Sequence, residues 1–287
     1  MEFEKESRYD HCMNAHANPS ATQANDASAN SDVLFSVEDG IATIVLNRPQ
    51  RRNALSMAAN ERLYDIWETL DADPSIQVAI LTSADCGTFC AGMDLREAAE
   101  MHAKTGKDIL QLLRDPMYQR MRSVRVPIIA AMTGHFTAAG IVLATNADLR
   151  IGLAGTSGGV SEAKVGRGTP WSVPMVWMLP QAVLMELVCT GDLMPVERLH
   201  ELGFVNYVEA TPDAVRARAQ QLAERIASNA PLTVQAAKQT IYTAMALGSE
   251  KGFTRAQEIF APVYASEDAQ EGPRAFAEKR KPVWQGR

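Results

Sequence analysis

Thr88-Phe89-Cys90-Ala91-Gly92-Met93-Asp94-Leu95 decides the reading of this chain, together with Thr137-Ala138-Ala139-Gly140-Ile141-Val142. Each stretch follows a short apolar run that reads as a buried strand. An apolar helical pattern comes after each. Small residues stand at the corner, where the backbone must stay bare. A strand-to-helix corner leaves N–H groups without intrahelical partners, and these suit a negative oxygen. Two such corners can aim two N–H groups at one oxyanion. The second corner also lacks something, because Val142 stands where a carboxylate would be useful.

Outward from the corners, strand and helix patterns alternate. Val33–Val37, the turn Glu38-Asp39-Gly40 and Ile41–Leu46 read as a hairpin. Ser56 to Asp71 carries Leu63, Ile66, Trp67 and Leu70 at helical spacing. Val78–Thr82 and Ile128–Met132 are buried strands, and Leu149–Gly152 is a shorter one. Alternation of this kind predicts an α/β domain with its ligand at the carboxyl ends of strands. After Asp213 the pattern turns helical, over Ala214–Ala227, Pro231–Leu247, Lys251–Tyr264 and Glu271–Lys279. Residues 1–32 are polar, with Ala, Asn, Ser, Thr and Gln dominating 15–30. That composition predicts a disordered leader. The expected organisation is therefore leader 1–32, core 33–213, and a helical oligomerisation region 214–287.

The composition narrows the function. The chain has 287 residues, 46% hydrophobic and 22% charged, with a net charge of −6. A nucleic-acid binder would need a basic face, which this balance does not announce. Local Arg and Lys clusters can still hold phosphates. Cys12, Cys86, Cys90 and Cys189 are too scattered for a disulfide framework. Cys86 and Cys90 form a C-x₃-C pair with no second pair at ligand spacing, so free thiols are the better reading than a structural zinc. A reducing, cytoplasmic setting fits. Residues 126–147 carry no formal charge, yet Pro127, Gly134, His135, Gly140 and Asn146 break the run, so a membrane span is not expected.

Taken in order, these pieces resemble the crotonase superfamily, the enoyl-CoA hydratase/isomerase fold. Ile44–Pro49 with Arg52-Asn53-Ala54-Leu55 is similar to its first strand and CoA-binding turn. Phe89–Leu95 is similar to its first oxyanion loop, and Pro127–Gly134 leading to Ala139-Gly140 to its second. Glu186–Asp192 and Leu202–Val205 resemble its late helix and strand, and Phe276–Pro282 its C-terminal end. The resemblance covers residues 33–282. It implies a ββα spiral core and an acyl-CoA thioester substrate, with coenzyme A entering only as part of that substrate. It implies an oxyanion hole from the backbone N–H groups of Met93 and Ala139. It places Arg48, Arg52, Ala54, Ala91, Asp94, Leu95, Lys279 and Lys281 along the substrate and its CoA portion, and Val142 and Trp171 in the acyl pocket. It implies a homotrimer or a dimer of trimers, and no metal or redox cofactor. Relatives often carry two glycines where this chain has Ala138 and Ala139.

The acid–base inventory bears on the reaction. Family hydratases hold water between two glutamates. In register with that pattern, Glu162 stands at the second glutamate position and Val142 at the first. A valine cannot bind or deprotonate water. One carboxylate suffices for moving a double bond, because it can take a proton from one carbon and return it two carbons along. Three readings follow: a one-glutamate enoyl-CoA isomerase, a hydratase or lyase in which Glu162 has a non-glutamate partner, and an acyl-CoA-binding protein without chemistry. Asp94 is better read as the cap of the following helix than as a base. Trp171 and Trp177 are read as acyl-pocket or core aromatics. His135 is read as a satisfied polar or packing residue in preference to a catalytic one.

Overall fold

The structure, a computed structural model, describes residues 31–115 and 117–287. The expected leader lies outside the described residues except for its last two. Ser31 and Asp32 are already tied to the body. Asn47 N–H donates to the Asp32 carbonyl at 2.8 Å, and the Asp32 carboxylate pairs with Arg48 at 3.3 Å and accepts from the Ser56 hydroxyl. Ser31 and Asp32 therefore belong with the core expected to begin at residue 33.

The chain runs β1 (Val33–Glu38), β2 (Ile41–Leu46), α1 (Met57–Ala72), β3 (Val78–Ser83), β4 (Thr88–Cys90), α2 (Leu95–Thr105), α3 (Gln119–Ser123), β5 (Ile128–Met132), β6 (His135–Thr137) and α4 (Ala139–Asn146). It continues with β7 (Leu149–Leu153), β8 (Ser157–Gly159), α5 (Gln181–Thr190), β9 (Met194–Pro195), α6 (Val196–Glu201) and β10 (Tyr207–Glu209). Four helices finish it: α7 (Pro212–Ala227), α8 (Pro231–Leu247), α9 (Ser249–Tyr264) and α10 (Glu267–Ala277). A six-stranded sheet has the order β1-β2-β3-β5-β7-β10, and a four-stranded sheet has β4-β6-β8-β9. β1 pairs antiparallel with β2, and the rest of the large sheet is parallel. Successive strand pairs β3–β4, β5–β6 and β7–β8 each give one strand to each sheet. That is the repeated spiral the family resemblance implies.

The hairpin forms as its turn chemistry requires. Asp39 and Gly40 take φ of 48° and 75°, the two positive values of a tight two-residue hairpin turn. Ser56 caps α1 by accepting from Ala59 N–H at 2.9 Å. Helix α1 then buries Leu63, Ile66, Trp67 and Leu70. Strand alternation splits the core into two layers. Ile44, Leu46, Leu81, Ile128 and Met132 face the main core with α1 and α4. Ile41, Val78, Ile80, Ile129, Ala131 and Ile151 face α7, which buries Val215, Ala219 and Ala223 against them. The expected border at 213/214 thus cuts a helix that closes the sheet, and the helices beyond this second layer begin at α8.

Two further expectations shift. The late strand is not Leu202–Val205 but β10, while Phe204 and Val205 are buried plugs before it. Helix α10 starts at Glu267, earlier than the apolar pattern implied, because Ser266 caps it through Ala269 N–H at 3.2 Å. The small sheet went unread because strands of two or three residues are too short to show alternation.

Helix α8 is fastened by a polar clamp. Asp148 accepts from Tyr242 Oη at 2.7 Å, pairs with Lys238 Nζ at 2.9 Å and accepts from Ile128 N–H at 2.7 Å. No helix among the described residues is long and apolar enough to cross a membrane.

Candidate active site

The first corner follows β4. Gly92 takes φ of 109°, open to glycine and strained for other residues. The loop is pinned to the turn before α1. Leu55 N–H donates to Gly92 O at 2.8 Å, Asp94 N–H to Leu55 O at 2.9 Å, and Ala91 N–H to Arg52 O at 3.2 Å. Leu55 donates to one neighbour of Met93 and accepts from the other, so the Met93 N–H is left pointing the other way. It has no acceptor among the described residues. Asn60, buried on α1, donates to Ser56 O at 2.7 Å and to Met93 Sδ at 3.5 Å, and so holds the Met93 side chain. Sequence reasoning missed Asn60.

The second corner follows β6. Ala138 takes φ 49° and ψ −119°, a conformation that favours glycine. Ala139 then opens α4, and its N–H likewise lacks an acceptor among the described residues. The two corners touch. A β-carbon built on Gly92 would lie 3.7 Å from Ala139 N, and one built on Gly140 would lie 2.3 Å from Cys90 O. Small residues at these positions are what allow the approach. The two corners meet here, and the backbone N–H groups of Met93 and Ala139 both lack an acceptor among the described residues.

Glu162 opens a short 3₁₀ turn, Glu162–Val165, and is 8% exposed. Its Oε2 is buried without a hydrogen-bond partner among the described residues. Burial raises its carboxyl above the ordinary carboxylate value, against backbone hydrogen bonds at Glu162 and Ser161 that lower it. Val142, on α4 one turn from the corner, is 1% exposed. Trp171 and Met175 are buried in the same core, on the 170–177 segment that packs against α4. Trp177 lies outside the core, being 55% exposed.

The expected substrate residues divide. Arg48 is spent inside the fold. It donates to Ala54 O at 2.7 Å and pairs with Asp94 at 3.0 Å as well as with Asp32. Asp94 caps α2 through Arg96 N–H at 3.1 Å and Glu97 N–H at 3.4 Å. Burial pushes its carboxyl up, but the Arg48 guanidinium and these two amides outweigh that and hold it below the usual value. Arg48 and Asp94 are therefore an internal pair rather than free ligand contacts. Asn53, unmarked in the sequence reading, anchors the same turn by donating to Ala84 O and Thr88 O, both at 2.8 Å. Ala54 is buried beside that turn and Ala91 is half-buried at the first corner. Arg52, Leu95, Lys279 and Lys281 are exposed. Arg280, between the two lysines, is tied to Glu271 at 2.5 Å and Glu278 at 2.6 Å. His135 is exposed and accepts from Ser157 N–H at 3.0 Å. Cys86 is exposed, while Cys90 is buried, with its thiol pushed up to about 12 by burial despite a bond to Gly92.

The spiral α/β fold with its two strand-to-helix corners defines the class of protein. Residues 36–287 match the family model described as enoyl-CoA hydratase/isomerase. The chain belongs to that family, the crotonase superfamily, and is an acyl-CoA enzyme. It is 34% identical to (E)-benzylidenesuccinyl-CoA hydratase of Thauera aromatica, over 88% of this chain and 99% of that one. It is 34% identical to enoyl-CoA hydratase EchA19 of Mycobacterium tuberculosis, over 89% and 97%. Its fold is similar to the crystal structure of enoyl-CoA hydratase from Bacillus anthracis, with a TM-score of 0.84, 28% identity and coverage of 89% and 100%.

Proposed function

We propose that Glu162 is the sole carboxylate base of the site and that the enzyme moves the double bond of a 3-enoyl-CoA to the 2-position. The carrying observation is one buried carboxylate with an unpartnered oxygen, together with apolar Val142 in the place of a second acid. Glu162 takes a proton from C2. The electrons pass toward the thioester oxygen, where the N–H groups of Met93 and Ala139 receive the charge. The double bond then re-forms between C2 and C3, and Glu162 returns the proton to C4. A carboxyl raised by burial suits both uptake and return near neutral pH. No metal or redox cofactor enters this chemistry. Exposed Arg52, Lys279 and Lys281 are proposed for the CoA phosphates.

A second reading is hydration of a 2-enoyl-CoA, favoured by the hydratase names of the relatives above. Product analysis decides between them. The first reading expects 3-enoyl-CoA to become 2-enoyl-CoA. Efficient formation of a 3-hydroxyacyl-CoA with no isomerisation would overturn it.

The same reading includes self-association as a trimer or dimer of trimers. Ile241, Phe253, Tyr264 and Phe276 on α8, α9 and α10 are all more than half exposed, as apolar residues at an interface would be in a lone chain. Sedimentation of the intact protein tests it, and a monomer would refute it. The free thiols Cys86, Cys90 and Cys189 agree with a cytoplasmic setting.

A further inference from the structure

Asn60 lies one turn into α1 and is 1% exposed. Its Nδ2 donates to Ser56 O at 2.7 Å, a carbonyl that already accepts from Asn60 N–H at 3.0 Å. The same Nδ2 reaches Met93 Sδ at 3.5 Å. Its Oδ1 is buried with no hydrogen-bond partner among the described residues. An amide in this state costs stability, because a buried acceptor left unpaired has lost its hydration without replacement. An apolar side chain would suit the position better. Among the described residues, the one side-chain bond that Asn60 makes beyond α1 and its cap is to Met93.

Met93 needs a hold at that end. Gly92 precedes it at φ 109°, and glycine restrains the chain least. Gly92 O and Met93 N–H belong to one trans peptide plane and point in opposite directions. Leu55 N–H fixes the carbonyl side of that plane at 2.8 Å. Asp94 N–H, bonded to Leu55 O at 2.9 Å, fixes the residue after it. Neither bond restrains the Met93 side chain, which packs at the margin of the core and has three rotatable bonds. Asn60 supplies that restraint from a firm mount. The start of α1 is itself tied to α2, with Met57 N–H donating to Glu97 Oε2 at 2.9 Å. With the peptide plane anchored on one side and the side chain on the other, the direction of the Met93 N–H is set.

We infer that Asn60 is a positioning residue, which through Met93 Sδ fixes the aim of the Met93 N–H and does so at a cost in stability. This rests on the reading of Met93 N–H as a donor to the thioester oxygen. It holds for isomerisation and hydration alike, since both place charge on that oxygen.

Asn60→Leu keeps the branched shape and removes both the donor and the stranded oxygen. The variant should melt no lower than wild type. Its kcat, on the enoyl-CoA that product analysis selects, should fall about tenfold with KM unchanged. Met93→Leu removes the sulfur acceptor and should lose kcat similarly, and the double variant should lose no more than either alone. Butyryl-CoA isotopically labelled at the thioester carbon reads the aim directly. Binding to wild type should lower its carbonyl stretching frequency in infrared difference spectra, and both single variants should lower it less. A wild type that leaves the stretch unmoved would show that no oxyanion donor acts, and the inference would fall with the reading beneath it. A full shift retained in N60L would overturn the role of Asn60 alone. So would additive losses in the double variant, or a kcat loss accompanied by a fall in Tm with the carbonyl shift intact. If N60L does not fold, the carbonyl shift of M93L decides, and an undiminished shift there overturns the inference.

Discussion

A β-carbon placed on Gly92 would stand 2.8 Å from the β-carbon of Ala138, so the two corners meet at the limit of contact. Ala138 holds its side of the approach at φ 49°. Ala138→Gly should relieve that backbone strain, worth about 1–3 kcal/mol, less the roughly 0.5–1 kcal/mol that glycine loses in chain entropy. Denaturant unfolding should show a net gain. A less stable variant would mean that the Ala138 methyl contributes more by packing than its backbone loses.

Gly140→Ala probes the same junction at a position where φ is not positive, so alanine meets no backbone strain there. The added methyl would fall 2.3 Å from Cys90 O, so β4 and α4 must part. Overpacking should cost about 1–3 kcal/mol. Displacing one oxyanion donor should lower kcat by roughly 10²-fold. A folded variant with wild-type kcat would remove Ala139 N–H from the chemistry.

Glu162 gives a pH signature. Its carboxyl is raised in the folded state, mainly by burial. Its contribution to stability is thus fully present below the unfolded carboxylate value, and is lost as pH rises through the raised folded value. Glu162→Gln cannot ionise. The variant should melt higher than wild type at about pH 7.5, with the gap closing near about pH 4, around and below the unfolded carboxylate value. Activity should fall by at least ~10²-fold. Parallel melting curves across that range would contradict the burial argument.

Val142→Glu should restore the carboxylate that α4 lacks. A new carboxylate at a position 1% exposed is costly, so Tm should drop by about 4 °C or more. Hydration of a 2-enoyl-CoA should rise relative to isomerisation. Unchanged product ratios in a folded variant would show that Val142 does not face the reacting carbons.

Asp148→Ala tests the clamp on α8. The Lys238 side chain is 7% exposed, and losing its partner leaves a buried charge, at a cost of about 3–5 kcal/mol. Hydrogen exchange should rise first along α8 and α9. Uniform loss of protection would show instead that the clamp supports the whole sheet.

The register of Glu162 against Val142 came only from the family resemblance, whereas the corner motifs, the Asp39-Gly40 hairpin and the frame of α1 were legible in the sequence. They rest on local rules: turn chemistry, helical spacing and small residues where backbone must be exposed. The small sheet was not legible, because its strands are shorter than one alternation. Nor was the fate of Arg48 and Asp94, which the sequence offered to the substrate and the fold spends on each other. That pairing joins residues far apart in the chain, as does the Asn146 bridge to Met117. Local pattern determined which groups this protein carries. Which of them stay unsatisfied, and so remain free for a ligand, only long-range packing decided, because a donor or acceptor is free only when no distant part of the chain has reached it.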